Sequence, residues 1–153
     1  MRKIFLTMTA ALAVLAGSAW AMDQQQAERA ADVRQSVLTV IGWNVGPMSA
    51  MVKGDVPYDA EQFTLHAERI ASVSTMLVDA FRPDTRDAVV ETEALDGIWE
   101  DFGEFERLAG AMTEKADALA TASRSGDLDV SRAAFLELGQ SCKNCHDKFR
   151  EDD

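Results

Sequence analysis

The chain has 153 residues, 27% of them charged, and a formal net charge of −11. That is the length of one ordinary domain. Such acidity argues against a nucleic-acid binder, whose partner's phosphates would repel it, and favours solubility.

Arg2 and Lys3 open the chain, Ile4 to Ala16 is apolar, and Ala19-Trp20-Ala21 supplies small residues around a cut. This is the pattern of a secretory signal peptide with an A-x-A site. The apolar stretch is 13 residues long and holds two threonines, whereas a spanning helix needs about 20 apolar residues. Cleavage after Ala21 is expected to leave 22–153 as a single domain with no membrane insertion. Loss of Arg2 and Lys3 lowers the formal charge to −13.

From Ala27 to about Val45, apolar residues recur at Ala30, Val33, Val37, Leu38, Ile41 and Val45, the spacing of an amphipathic helix. Gly46-Pro47 is a candidate bend or interruption, and Lys53-Gly54-Asp55-Val56-Pro57 ends the segment. Asp59 with Gln62 predicts the capped start of a second helix. Its buried side is Phe63, Ile70, Val73, Leu77 and Phe81, and Arg82-Pro83-Asp84 closes it. A loose connection from Thr85 to about Glu93 leads to a third helix carrying Leu95, Ile98, Trp99, Phe102, Phe105, Leu108, Met112, Ala116 and Leu119. Ser125-Gly126-Asp127 is a stop, and Asp129 is a candidate cap for a fourth helix through Phe135, Leu138, Cys142, Cys145, His146 and Phe149. No segment alternates with period two. The expectation is an all-α, antiparallel up-down-up-down four-helix bundle, with Trp43 and Trp99 as packing residues.

Both cysteines fall in Cys142-Lys143-Asn144-Cys145-His146. Cys-x-x-Cys-His is the attachment pattern of a c-type haem: each thiol can form a thioether with a vinyl group, and the imidazole can reach the iron. On a helix, 142, 145, 146, 149 and 150 share one face, which places Phe149 and Arg150 beside the motif. A thioredoxin-like dithiol would sit near a strand-to-helix junction, which is absent. A structural zinc needs about four ligands, and the spare candidate, His66, lies far upstream and reads as solvent-facing. A Cys142–Cys145 disulfide leaves His146 unexplained. A methionine sixth ligand, from Met48, Met51, Met76 or Met112, would suit electron transfer; an open position would suit gases. The residues alone leave the coordination open, since each methionine also reads as core.

Arg34-Gln35-Ser36-Val37-Leu38, Gly46-Pro47-Met48, Pro57-Tyr58-Asp59-Ala60, Glu91-Thr92-Glu93-Ala94-Leu95, Ile98-Trp99, Ser125-Gly126-Asp127-Leu128-Asp129 and the run from Cys142 to Arg150 together resemble bacterial cytochrome c′. The resemblance spans essentially the whole mature chain. It implies one haem c held by Cys142 and Cys145, with His146 as proximal ligand and metal-binding residue and Arg150 beside it. It also implies Arg34 and Gln35 at the haem edge, with Arg34 pairing a propionate, and Thr92 and Glu93 approaching that edge. Leu38 would take the bulky apolar position over the distal haem face, with Phe81 adding to the lid. Leucine cannot coordinate iron, so the resemblance implies a five-coordinate, high-spin centre rather than a low-spin methionine-ligated one. The expected partners are nitric oxide, carbon monoxide, a periplasmic redox protein and a second copy of the chain through the first two helices. Nitric oxide could alternatively displace His146 from the proximal side, near Arg150. The expected protein is a binding and redox protein, not an enzyme, and the rival outside this class is a haem-free helical interaction protein.

Overall fold

The computed structural model describes residues 22–151; the expected leader, residues 1–21, lies outside the described residues. Among the described residues six helices form in chain order: α1 Gln24–Lys53, α2 Ala60–Ser74, α3 Leu77–Phe81, α4 Gly97–Glu100, α5 Phe102–Ser123 and α6 Leu128–Phe149. The long ones, α1, α2, α5 and α6, pack as the expected antiparallel four-helix bundle. Neighbours pack in the order α1 with α2, α2 with α5 and α5 with α6. No helix among the described residues is long and apolar enough to cross a membrane.

Local chemistry explains where each helix starts and stops. Asp23 caps α1 by accepting from the Gln26 amide, and Asp59 caps α2 by accepting from the Gln62 amide. Gly54, at φ 81°, closes α1: its N–H reaches the Met51 carbonyl, and the Asp55 N–H reaches that of Ala50. Such a left-handed cap favours glycine, which has no Cβ to clash. Pro47 does not interrupt α1. Proline deprives the carbonyl four residues earlier of its partner, but that residue, Trp43, is 77% exposed, so water can satisfy it.

Three boundaries differ from the periodic reading. The second helix breaks at Thr75 and Met76, because the hydroxyls of Ser74 and Thr75 bond the carbonyls of Ala71 and Ser72. Thr113 of α5 also donates to the Ser74 carbonyl, and such back-bonding bends helices. The third breaks at Asp101, whose carboxylate instead caps α5 through the Glu104 amide. The fourth is capped by Asp127 rather than Asp129: Asp127 Oδ1 accepts from the amides of Asp129 and Val130 at 2.8 and 3.0 Å. Asp127→Ala should therefore cost about 1 kcal/mol. Urea unfolding measures this, and an unchanged midpoint would count against the cap.

Aromatic contacts organise the core at both ends of the bundle. Phe63, fully buried, meets Tyr58 and Phe135 at ring separations of 5.5 and 6.2 Å. At the other end Phe105 meets Phe81, Phe102 and Phe149 at 4.8, 5.8 and 5.8 Å. Trp43 is not a packing residue, as its exposure shows, whereas Trp99 is half-buried and its indole N–H donates to the carbonyls of Phe81 and Pro83.

Candidate functional site

α1 and α6 flank the side of the bundle that carries the Cys-x-x-Cys-His motif. They run antiparallel, α1 over 30 residues and α6 over 22. At one end Arg132 of α6 donates to the Val52 carbonyl of α1, and Tyr58 bonds Ser131. At the other, Arg34 of α1 lies over Phe81, which packs at a tilt on Phe105, which meets Phe149 of α6. Leu38 lies one turn inward from Arg34, as Cys145 does from Phe149. The first-helix candidates and the motif are thus at the same end of the bundle.

Cys142 and Cys145 are half-buried free thiols at the edge of the core beside Phe135 and Leu138. Burial pushes the Cys142 thiol up, and burial together with Cys142 raises Cys145 to about 11. Both are therefore protonated thiols at neutral pH. His146 is exposed, and its pKa is lowered by burial of part of the ring and then by Arg150, against smaller opposing effects of Asp147 and Glu93. A neutral imidazole keeps a lone pair for a metal. His66 does not join the motif: its Nδ1 lies 2.9 Å from Asn44 Oδ1, across α1 and α2. It is half-buried rather than solvent-facing. Asn44, itself buried, already donates its amide to the Val40 carbonyl, so its oxygen accepts and His66 Nδ1 donates.

Arg34 is the most informative polar residue. It is 3% exposed, with its guanidinium 5.6 Å from the Phe81 ring centre and 5.1 Å from that of Trp99. Nη2 donates to Thr85 at 2.9 Å, and Nη1 makes a long 3.5 Å contact with the Pro83 carbonyl. Burial pushes its pKa down, opposed by Asp84. Its Nε is buried and has no partner among the described residues. An unmet buried donor costs about 1–3 kcal/mol, so this site suits an added anion such as a haem propionate. Two thiols at helical spacing, a neutral imidazole beside them and a buried cation at the same end fit haem c.

The remaining candidates divide. Leu38 is 39% exposed, whereas its neighbour Val37 faces the core. Gln35 is exposed and bonds Thr39. Phe81 is 6% exposed, buried between Phe105 and Arg34. Thr92 is exposed and accepts from the Ala94 amide. Glu93 bonds Arg150 at 2.7 Å, which brings the connection before α4 to the end of α6. Arg150 itself leaves the helical face: α6 ends at Phe149, and Arg150 is extended at φ −116°, ψ 141°. Met48, Met51 and Met112 are buried in the core, and Met76 is exposed at the break between α2 and α3. Trp99 and Thr85, which hold Arg34, are not evident as site residues from sequence, because their contacts depend on the fold of the 82–96 connection.

Comparison with known proteins gives one answer. The sequence model described as Cytochrome C′ matches residues 29–150. A cytochrome c′ of Halomonas halodenitrificans is 39% identical over 127 residues, covering 80% of this chain and 96% of that protein. The structure of cytochrome c prime from Shewanella frigidimarina aligns at TM-score 0.78 and 35% identity, over 85% of this chain and 100% of that one. A ferrous variant of the Alcaligenes xylosoxidans cytochrome c prime with bound NO aligns at TM-score 0.75 and 36% identity, over 83% and 97%. Sequence, length and fold agree: the chain belongs to the cytochrome c′ family of haem proteins.

Proposed function

We propose that this chain carries one haem c on Cys142 and Cys145, with His146 as proximal ligand, and binds nitric oxide and carbon monoxide at a five-coordinate centre. When bound, haem c supplies an iron that takes a diatomic ligand and cycles between ferric and ferrous states. Membership of the family makes the protein a haem protein rather than an enzyme. The observation that carries the five-coordinate reading is Leu38. This apolar side chain on α1 is over a third exposed and has no atom that binds iron. The NO complex of the Alcaligenes relative supports the choice of gas. Burial of Met48, Met51 and Met112 in the core argues against a methionine sixth ligand.

In this reading Cys142 and Cys145 fix the macrocycle against Phe135 and Leu138. Arg34 Nε donates to a propionate, and Gln35, Thr92 and Glu93 stand toward the haem edge. Leu38 excludes water and offers no hydrogen bond, which disfavours stabilising bound dioxygen. Phe81 backs that apolar side from the core, and Phe149 and Arg150 lie on the proximal side. Nitric oxide titration of the ferrous protein, followed by its Soret band, tests the assignment. A saturable change is expected, and a spectrum indifferent to the gas would overturn it.

Export by the leader and a periplasmic setting complete the proposal, with electrons exchanged with another redox protein there. A homodimer through α1 and α2 is supported by Val33, Val40 and Trp43, which are 49%, 44% and 77% exposed on α1. An exposed tryptophan on an apolar face is a common anchor of interfaces. Trp43→Asp should weaken self-association by about fivefold, roughly 1 kcal/mol. Sedimentation equilibrium measures it, and unchanged association would remove Trp43 from the interface.

A further inference from the structure

The end of α6 is clipped to the connection before α4. Ala94 and Arg150 form an isolated antiparallel bridge. The Leu95 N–H donates to the Phe149 carbonyl at 3.0 Å, and the Glu151 N–H donates to the Glu93 carbonyl at 2.8 Å. Within this clip, Arg150 Nε donates to Glu93 Oε2 at 2.7 Å. The two residues are 57 apart in sequence, so the backbone clip is what brings them together. The Arg150 N–H also donates to the His146 carbonyl at 3.0 Å, which fixes the pair one turn beyond that residue. Lys143 bonds the neighbouring Asp147 carboxylate at 2.6 Å.

We infer that Glu93 is a positioning residue: it holds Arg150 on the His146 side of the site and offsets its positive charge there. This rests on the haem reading of the motif. A cation near the iron favours the ferrous form, so removing the carboxylate and removing the cation act in opposite directions. The side chains of Arg150 and Glu93 are 40% and 62% exposed. Solvent screening therefore limits each effect to about two- to fivefold.

The test uses the holoprotein with Glu93→Gln, Arg150→Gln and both together. Redox titration of the haem absorption should show Glu93→Gln shifted toward ferrous by about two- to fivefold and Arg150→Gln shifted toward ferric by as much. In the double variant the two opposite charge effects should sum, returning it close to the parent. Shifts of the same sign, or single variants with no shift, would overturn the inference. Hydrogen exchange at the Leu95 and Glu151 amides reports the clip independently of the haem and should quicken in both single variants. A parent protein carrying no haem would overturn the haem reading instead, and unchanged exchange would then also sink the Glu93–Arg150 pairing.

Discussion

Replacing both Cys142 and Cys145 with alanine should abolish covalently attached haem. The two sulfurs stand three residues apart on α6, a spacing that presents both to one side of the helix. Both are half-buried free thiols against the core, so each can attach while the macrocycle lies on an apolar wall. Either single variant retains one attachment point; the double variant has none. Haem staining after denaturing electrophoresis reads covalent attachment alone, whether or not the variant folds well. A stained band in the double variant would exclude both thiols as anchors.

Leu38→Ala should raise carbon monoxide affinity of the ferrous protein roughly tenfold. If Leu38 covers the distal face, a gas enters only by displacing it from apolar contact. Burying a leucine fully is worth about 1.5–3 kcal/mol, and Leu38 is already 39% exposed, so the lower end applies. That converts to about one decade of affinity. The effect belongs to ligand binding more than to stability, because the core-facing residues of this stretch are Val37 and Ile41. Photometric titration with carbon monoxide decides it, and an unchanged affinity would show that Leu38 does not cover the binding face.

How far each feature was legible in the sequence follows from the range of the interactions behind it. Asp59 with Gln62 and the glycine at 54 act within one turn, and both are where the sequence puts them. The four apolar stripes likewise predict four long helices. The breaks at 74–76 and at Asp101 are harder to read, because hydroxyl back-bonding and a competing cap leave the apolar spacing intact. Pro47 misleads in the opposite sense: proline is unfavourable in any helix interior, yet α1 runs through it, with Trp43, whose carbonyl it frees, facing solvent.

The site shows the same division. Cys142, Cys145 and His146 are adjacent and readable directly. The family resemblance points to Arg34, but its setting between Phe81 and Trp99 and its hold on Thr85 join residues 47 to 65 positions apart. Periodicity assigns Arg150 to the helical face of His146, yet the helix ends one residue earlier and Glu93 takes the guanidinium. His66 reads as a surface residue because its partner, Asn44, is a polar residue within a buried stripe.

The most direct measurement is the absorption spectrum of the ferric and ferrous protein, with and without carbon monoxide. A five-coordinate centre beneath Leu38 predicts high-spin spectra in both oxidation states and a ferrous Soret band that shifts sharply with carbon monoxide. A far-red methionine–iron band in the ferric protein, with a ferrous spectrum that carbon monoxide leaves unchanged, would contradict it.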